Sequence, residues 1–259
     1  GVMEHIEEAG IHSGDSACVL PSTSLDKNML DQIRLATEKI AKDVGVRGLI
    51  NIQFAVSGDP QKLFVLEANP RASRTVPFVA KATGVQLAKA AALIATGVRI
   101  DQLRKDAILP KIGDGKANGV SVKEAVLPFN RFRRVDGTGV DTVLGPEMKS
   151  TGEVMGIANN FGLAFAKSQI AAFGPLPISG AVFISLSQRD KDAGWRSARG
   201  LHELGFKIYS TDGTHSYLTE KGIPSEKVRK NSDPQTEQLS ANDLITKGLV
   251  QLVINTPLG

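Results

Sequence analysis

The chain has 259 residues, 41% apolar and 22% charged, which is an ordinary globular composition and enough length for two separately cored domains. Its formal net charge of +4 is small for the size, and basic residues such as Arg34, Lys39 and Lys42 are interleaved with acids, so no nucleic-acid face is expected. A single cysteine, Cys18, excludes an internal disulfide, and no apolar stretch reaches the length of a membrane span. A cytoplasmic setting with no membrane partner follows as the expectation, or an organelle if the source is eukaryotic.

Residues 25–43 carry Leu30, Ile33 and Ile40 at helical spacing, with Gly45 as a stop, and predict an amphipathic helix. Ile50, Ile52, Phe54 and Val56 then alternate with Asn51, Gln53 and Ala55, the period of a half-buried strand. Ser57-Gly58-Asp59-Pro60 supplies turn chemistry, and the run from Leu63 to Asn69 reads as the return strand, stopped by Pro70. Pairing about Pro60 places Gln53 opposite Glu67, with Asn69 on the same face. That face reads either as ordinary solvated polar side chains or as an oxygen-ligand set for a hard divalent cation. Residues 86–96 predict an alanine-rich helix ended by Gly97, residues 111–119 a loop, and residues 120–129 a strand.

A Pro/Gly linker signal at Phe173-Gly174-Pro175 opens a different rhythm. The apolar run from Ala181 to Leu186 suits a strand covered on both faces, a helix follows over 192–204, residues 206–211 are a second strand, and residues 249–255 are another buried strand. Alternating strands and helices imply a parallel, doubly wound sheet. Thr211-Asp212-Gly213-Thr214 ends a strand and opens a helix, where free backbone N–H groups attract phosphate; an ordinary capped turn is the other reading. No phosphate loop of the G-x-x-x-x-G-K type occurs.

The string Glu67-Ala68-Asn69-Pro70-Arg71-Ala72-Ser73-Arg74-Thr75-Val76-Pro77-Phe78 resembles the metal-binding strand and following loop of ATP-grasp ligases. Together with Glu4-His5-Ile6-Glu7-Glu8-Ala9-Gly10-Ile11-His12-Ser13-Gly14-Asp15, Ser121-Val122-Lys123-Glu124 and Leu144-Gly145-Pro146-Glu147-Met148, it resembles the large-chain family of carbamoyl phosphate synthetases. The resemblance implies an α/β protein: an α+β C-terminal part of an ATP-grasp domain with its connecting region over 1–172, then a doubly wound methylglyoxal synthase-like allosteric domain over 173–259, truncated at its C-terminus. The chain is thus expected to be a fragment of a longer ligase, inactive alone.

The implied reaction is MgATP-dependent phosphorylation of carbamate to carbamoyl phosphate, feeding pyrimidine and arginine biosynthesis. The carbamate derives from bicarbonate and ammonia, with a glutamine-hydrolysing small chain as partner. The resemblance gives Gln53, Glu67 and Asn69 to Mg²⁺ (or Mn²⁺), and Gly10, Ile11, His12, Ser13, Gln53 and Glu67 to ATP. Arg71 and Arg74 are implied to act on the phosphoryl groups or carbamate. Glu7, Asp15 and Glu124 match an ornithine-binding set, and otherwise read as solvated charges. Lys191, Thr211, Thr214, Lys230, Asn255 and Thr256 match positions that bind a nucleotide monophosphate effector. Asp212 departs from the family, many of whose members have histidine there, and a carboxylate beside a phosphate is unfavourable. Two alternatives stay open: another ATP-grasp carboxylase, and a non-catalytic nucleotide-monophosphate-sensing module.

Overall fold

A computed structural model describes residues 1–132, 134–234 and 237–256. The chain divides into two compact units, Gly1–Pro175 and Leu176–Gly259.

The first unit is built on a four-stranded antiparallel sheet, β1 (Glu4–His5), β2 (Cys18–Leu20), β5 (Val120–Val126) and β6 (Gly152–Ala158), in the order β1-β2-β5-β6. Both faces are covered. Helix α5 (Phe161–Phe173) lies on one, where Val19, Val122 and Ala164 form a dry cluster. Helix α2 (Thr75–Thr83) packs on the other through Phe78, Val79 and Ala82 against Leu20 and Met155. Gly156 permits the close approach of α5, since a Cβ there would stand 2.1 Å from the Ala164 carbonyl oxygen.

A separate two-stranded hairpin, β3 (Asn51–Ser57) and β4 (Lys62–Asn69), follows helix α1 (Lys27–Val44). This helix starts two residues later than its apolar spacing suggests, because the Asp26 side chain accepts the Met29 N–H at 2.7 Å and caps it; Gly45 closes it in the left-handed conformation. Helices α3 (Leu87–Ala95) and α4 (Ile100–Lys105) complete the unit. The strand expected over 120–129 stops at Val126, since Pro128 has no N–H for the ladder, and Phe129–Arg131 form a 3₁₀ turn.

The second unit is an all-parallel sheet in the order β10-β7-β8-β9. Its strands are β7 (Ala181–Ser185), β8 (Lys207–Thr211), β9 (Glu226–Val228) and β10 (Leu252–Asn255). Helices α6 (Lys191–Glu203) and α7 (Asp212–Glu220) cover one face through Ala198 and Leu218; α8 (Ala241–Thr246) covers the other through Leu244 against Phe183 and Val228. The chain steps β7 to β8 to β9 and then returns across the sheet to β10, so the winding reverses between β7 and β10. The expected doubly wound α/β arrangement is present. One expectation is corrected: β10 is an edge strand with Val253 44% exposed, since among the described residues only β7 flanks it.

Candidate functional sites

The hairpin register pairs Gln53 with Glu67 and Asn51 with Asn69. Directly opposed residues of an antiparallel pair share a face, and so do residues two apart. One face therefore carries three amides and a carboxylate. Towards the turn the register slips, Phe54 pairing with Val65, which leaves Leu66 as the bulged residue. The slip explains why pairing about Pro60 describes only the end of the hairpin away from the turn. Glu67 is exposed, and Asn51 donates to Thr75 Oγ1 at 3.3 Å.

Beyond Asn69 the two arginines diverge. Arg71 is exposed and bonds the Ala72 carbonyl at 2.9 Å. Arg74 reaches across to Ser150, donating to its Oγ at 3.0 Å and its carbonyl at 3.3 Å. A cleft of about 550 Å³ lies beside β3, lined by Glu4, His5, Glu7, Ser13, Arg34 and Gln53 among others. Glu67 and Asn69 stand on the neighbouring strand and do not line it.

Gly10 and Ile11 end a turn that starts at Glu8, with Gly10 at φ 107°, and His12 and Ser13 open a second turn closed by Asp15. The His12 Nδ1 accepts the Gly14 N–H at 2.9 Å, and the His12 N–H bonds the Gly145 carbonyl at 2.8 Å. Ser13 alone of the four lines the cleft. The imidazole thus takes part in the local hydrogen bonding of this segment, and its charge acts on the Asp15 carboxylate.

Glu7, Asp15 and Glu124 do not behave as one set. Asp15 is 1% exposed, and its two oxygens accept the Lys149 and Ser150 N–H groups at 2.7 and 2.8 Å. Burial pushes its carboxyl up, but these donors together outweigh burial and hold it below the usual range. Glu7 accepts the Ala17 N–H at 2.7 Å, and Glu124 is held by Gln169 of α5. Burial raises both of their carboxyls, and the charge of Glu7 raises Glu124 further. The buried Lys123 cation already acts on both carboxyls, and a cationic ligand would relieve the repulsion that remains between them.

Sequence reasoning passed over Lys123 and Glu153. Lys123 is fully buried; its ammonium donates to the Ser13 carbonyl at 3.3 Å and stands 3.9 Å from Glu153, whose Oε2 is buried without a hydrogen bond. The available signal was a lysine within the strand Val120–Val126, where alternation alone cannot reveal that both faces are covered.

In the second unit the carboxyl ends of β7, β8 and β10 converge. Thr214 Oγ1 accepts the Leu186 N–H at 2.9 Å, Thr211 Oγ1 lies 3.2 Å from Ser185 Oγ, and Thr256 Oγ1 accepts the Ser187 N–H at 2.8 Å. Lys191 lies over the first turn of α7, its Nζ 3.7 Å from where a Gly213 Cβ would be. Asn255 is exposed at the end of β10, and Lys230 is exposed beyond β9. Ligand crevices of open α/β sheets form at such a reversal of winding.

Two family descriptions match these units: "Carbamoyl-phosphate synthase L chain, ATP binding domain" over residues 1–103, and "MGS-like domain" over residues 195–259. The class is therefore an ATP-binding domain joined to a methylglyoxal synthase-like one. Over its whole length the chain is 55% identical to the carbamoyl phosphate synthase large chain of Kocuria rhizophila, 58% to that of Arthrobacter sp. strain FB24 and 54% to that of Mycobacterium tuberculosis. The chain belongs to the carbamoyl phosphate synthase large-chain family, and it spans 24% of the length of these relatives. A solved Rhizobium etli pyruvate carboxylase aligns with 63% of this chain and 16% of its own at 16% identity, with a TM-score of 0.47, too slight a likeness to bear on function.

Proposed function

We propose that the first unit contributes the metal- and phosphate-facing side of an ATP site that phosphorylates carbamate within a longer large chain. The single observation that carries this is the hairpin register, which groups Gln53, Glu67 and Asn69 on one face. The donor set fits a hard cation: amide and carboxylate oxygens, without the soft or imidazole ligands that select zinc or copper. Gln53, Glu67 and Asn69 would hold Mg²⁺ or Mn²⁺, which when bound neutralises triphosphate charge. Among the described residues no group of three or more His, Cys, Asp or Glu side chains suits a metal; a hard cation held by Gln53, Glu67 and Asn69 would take further oxygen ligands from substrate phosphates. In the reaction a carbamate oxygen attacks the γ-phosphorus, the bond to the bridging oxygen breaks, and ADP leaves. Positioning and charge stabilisation supply the rate, and no catalytic base is required. Arg74, held by Ser150, offers a fixed cation for the transferred group; the exposed Arg71, bonded to the Ala72 carbonyl, offers a second.

Glu7 and Glu124 suit the amino groups of an ornithine-like cation, with Asp15 fixing the wall behind them rather than binding. The second unit suits a phosphorylated effector, gripped by Lys191, Lys230 and the hydroxyls at the reversal point, with the contacts of Thr211, Thr214, Asn255 and Thr256. A glutamine-hydrolysing small chain supplying ammonia, and a cytoplasmic setting, complete the reading. The test is Glu67→Ala in the intact large chain with its small chain. Synthesis of carbamoyl phosphate from bicarbonate, ATP and glutamine should fall by at least a hundredfold, a loss on the scale of removing one strong charge-stabilising group. Activity within threefold of the parent would end this assignment of the hairpin.

A further inference from the structure

Asp212 sits at the first position of α7, directly after the carboxyl end of β8, and is ion-paired with Lys227 of β9. Lys230, three residues on, is close enough for its charge to act on the same carboxylate. Lys191 approaches the same turn from the other side, lying 5.6 Å from the centre of the Tyr217 ring, and forms no ion pair among the described residues. A cation beside a helix N-terminus is placed against the local dipole, an arrangement that an intervening anion relieves. Three lysines thus act at the first turn of α7, and one of them is already paired with the Asp212 carboxylate.

We infer that Asp212 sets the charge selectivity of this crevice: it withholds Lys227 from the ligand and places a fixed negative charge at the rim, so that a phosphate dianion is bound more weakly than Lys191 and Lys230 would otherwise allow. This rests on the effector reading given above and adds to it the residue that tunes it. Lys227 holds the Asp212 carboxyl below the usual range, so it stays ionised at neutral pH. At the several ångströms that separate a rim carboxylate from a bound dianion in a high-dielectric setting, the repulsion corresponds to roughly a tenfold loss of affinity. The selectivity favours a singly charged anion, such as a carboxylate, over a phosphate monoester.

The experiment is calorimetric titration of the full 259-residue chain with inorganic phosphate at constant ionic strength and pH 8. It compares the parent with Asp212→Asn, Lys227→Met and the double variant, and uses Lys191→Ala as a control for location. Both altered side chains are exposed, and unchanged circular dichroism would certify folding. The expected result is about tenfold tighter binding for Asp212→Asn, weaker binding for Lys227→Met, and an intermediate double variant. Parent-like or weaker binding by Asp212→Asn, with the parent itself binding, overturns the inference and leaves the effector reading standing. Absence of phosphate binding by every variant overturns both.

Discussion

Gly156 marks the point where the sheet of the first unit and α5 touch backbone to backbone, and replacing it by alanine is the sharpest available probe of that unit. The new Cβ would stand 2.1 Å from the Ala164 carbonyl oxygen and 2.7 Å from the Ser168 nitrogen. Ordinary contact begins near 3.4 Å, so the helix must retreat by the shortfall from 3.4 to 2.1 Å, 1.3 Å. No rotamer change can relieve this, since both opposing atoms belong to the backbone. Ala164 and Ser168, each fully buried, would lose their contacts with β5 and β6, and the Gln169 bond to Glu124 would be displaced. Overpacking of a rigid core typically costs 1–3 kcal/mol, and a helix with no flexible neighbour belongs at the upper end, about 3 kcal/mol. With a urea slope of about 2 kcal/mol per molar for a domain of this size, the midpoint should fall by about 1.5 M. The assay has a built-in control. The only tryptophan, Trp195, lies in α6 of the second unit, so its fluorescence follows that unit while circular dichroism follows both. The circular dichroism transition of the first unit should move and the fluorescence transition should stay. A midpoint shift below 0.3 M by circular dichroism would refute the packing argument.

Thr214→Val keeps the volume but leaves the buried Leu186 N–H without its acceptor; urea unfolding read by Trp195 fluorescence should show a loss of about 1–3 kcal/mol. Cys18 is fully buried and burial pushes its thiol up to about 12, so a thiol reagent at pH 8 should label it only after unfolding; labelling of the native chain within seconds would contradict its placement. Glu124 is raised in the folded state by burial and by Glu7, so its contribution is intact below the unfolded value of 4.5 and is lost as pH rises through the folded value. Glu124→Gln removes that loss and should raise the urea midpoint of the first unit at pH 8 but not at pH 4; an equal change at both would refute the repulsion.

The hairpin could be read from residues alone because neither strand is deeply buried: Ile50, Ile52 and Phe54 alternate with Asn51 and Gln53, and the period of two survives in the sequence. Strand β5 hides its register for the opposite reason. Burial on both faces erases alternation, so neither Lys123 nor the partnering of Glu124 with α5 could be inferred. Helix α2 escaped notice because Pro77 reads as a breaker; it lies at the third helical position, where the N–H it lacks has no intrahelical partner anyway. In the second unit β7, β8 and β10 and their parallel, doubly wound arrangement were legible from apolar runs and glycine stops, whereas the strand order and the short β9 were not. The Asp212–Lys227 pair was not, because it joins α7 to a strand only three residues long.

Asp15 shows how a charged residue that looks like a ligand can instead hold a site together. Its two oxygens take the Lys149 and Ser150 N–H groups, Ser150 Oγ donates to the Gly14 carbonyl, and the same oxygen receives Arg74. The carboxylate therefore anchors the segment on which Arg74 rests, some distance in sequence from both. Asp15→Asn can offer one acceptor but turns an amide donor towards a second N–H, so one buried N–H goes unpaired at a cost of about 1–3 kcal/mol. Because the folded carboxyl is depressed, its stabilisation is present above the unfolded value of 3.8 and fades as pH falls through the folded value. The difference in urea midpoint between parent and Asp15→Asn, followed by circular dichroism, should be largest near pH 7 and shrink steadily below pH 4. A difference that persists undiminished to pH 3 would mean that the Asp15 carboxylate charge is not what ties Ser150 in place.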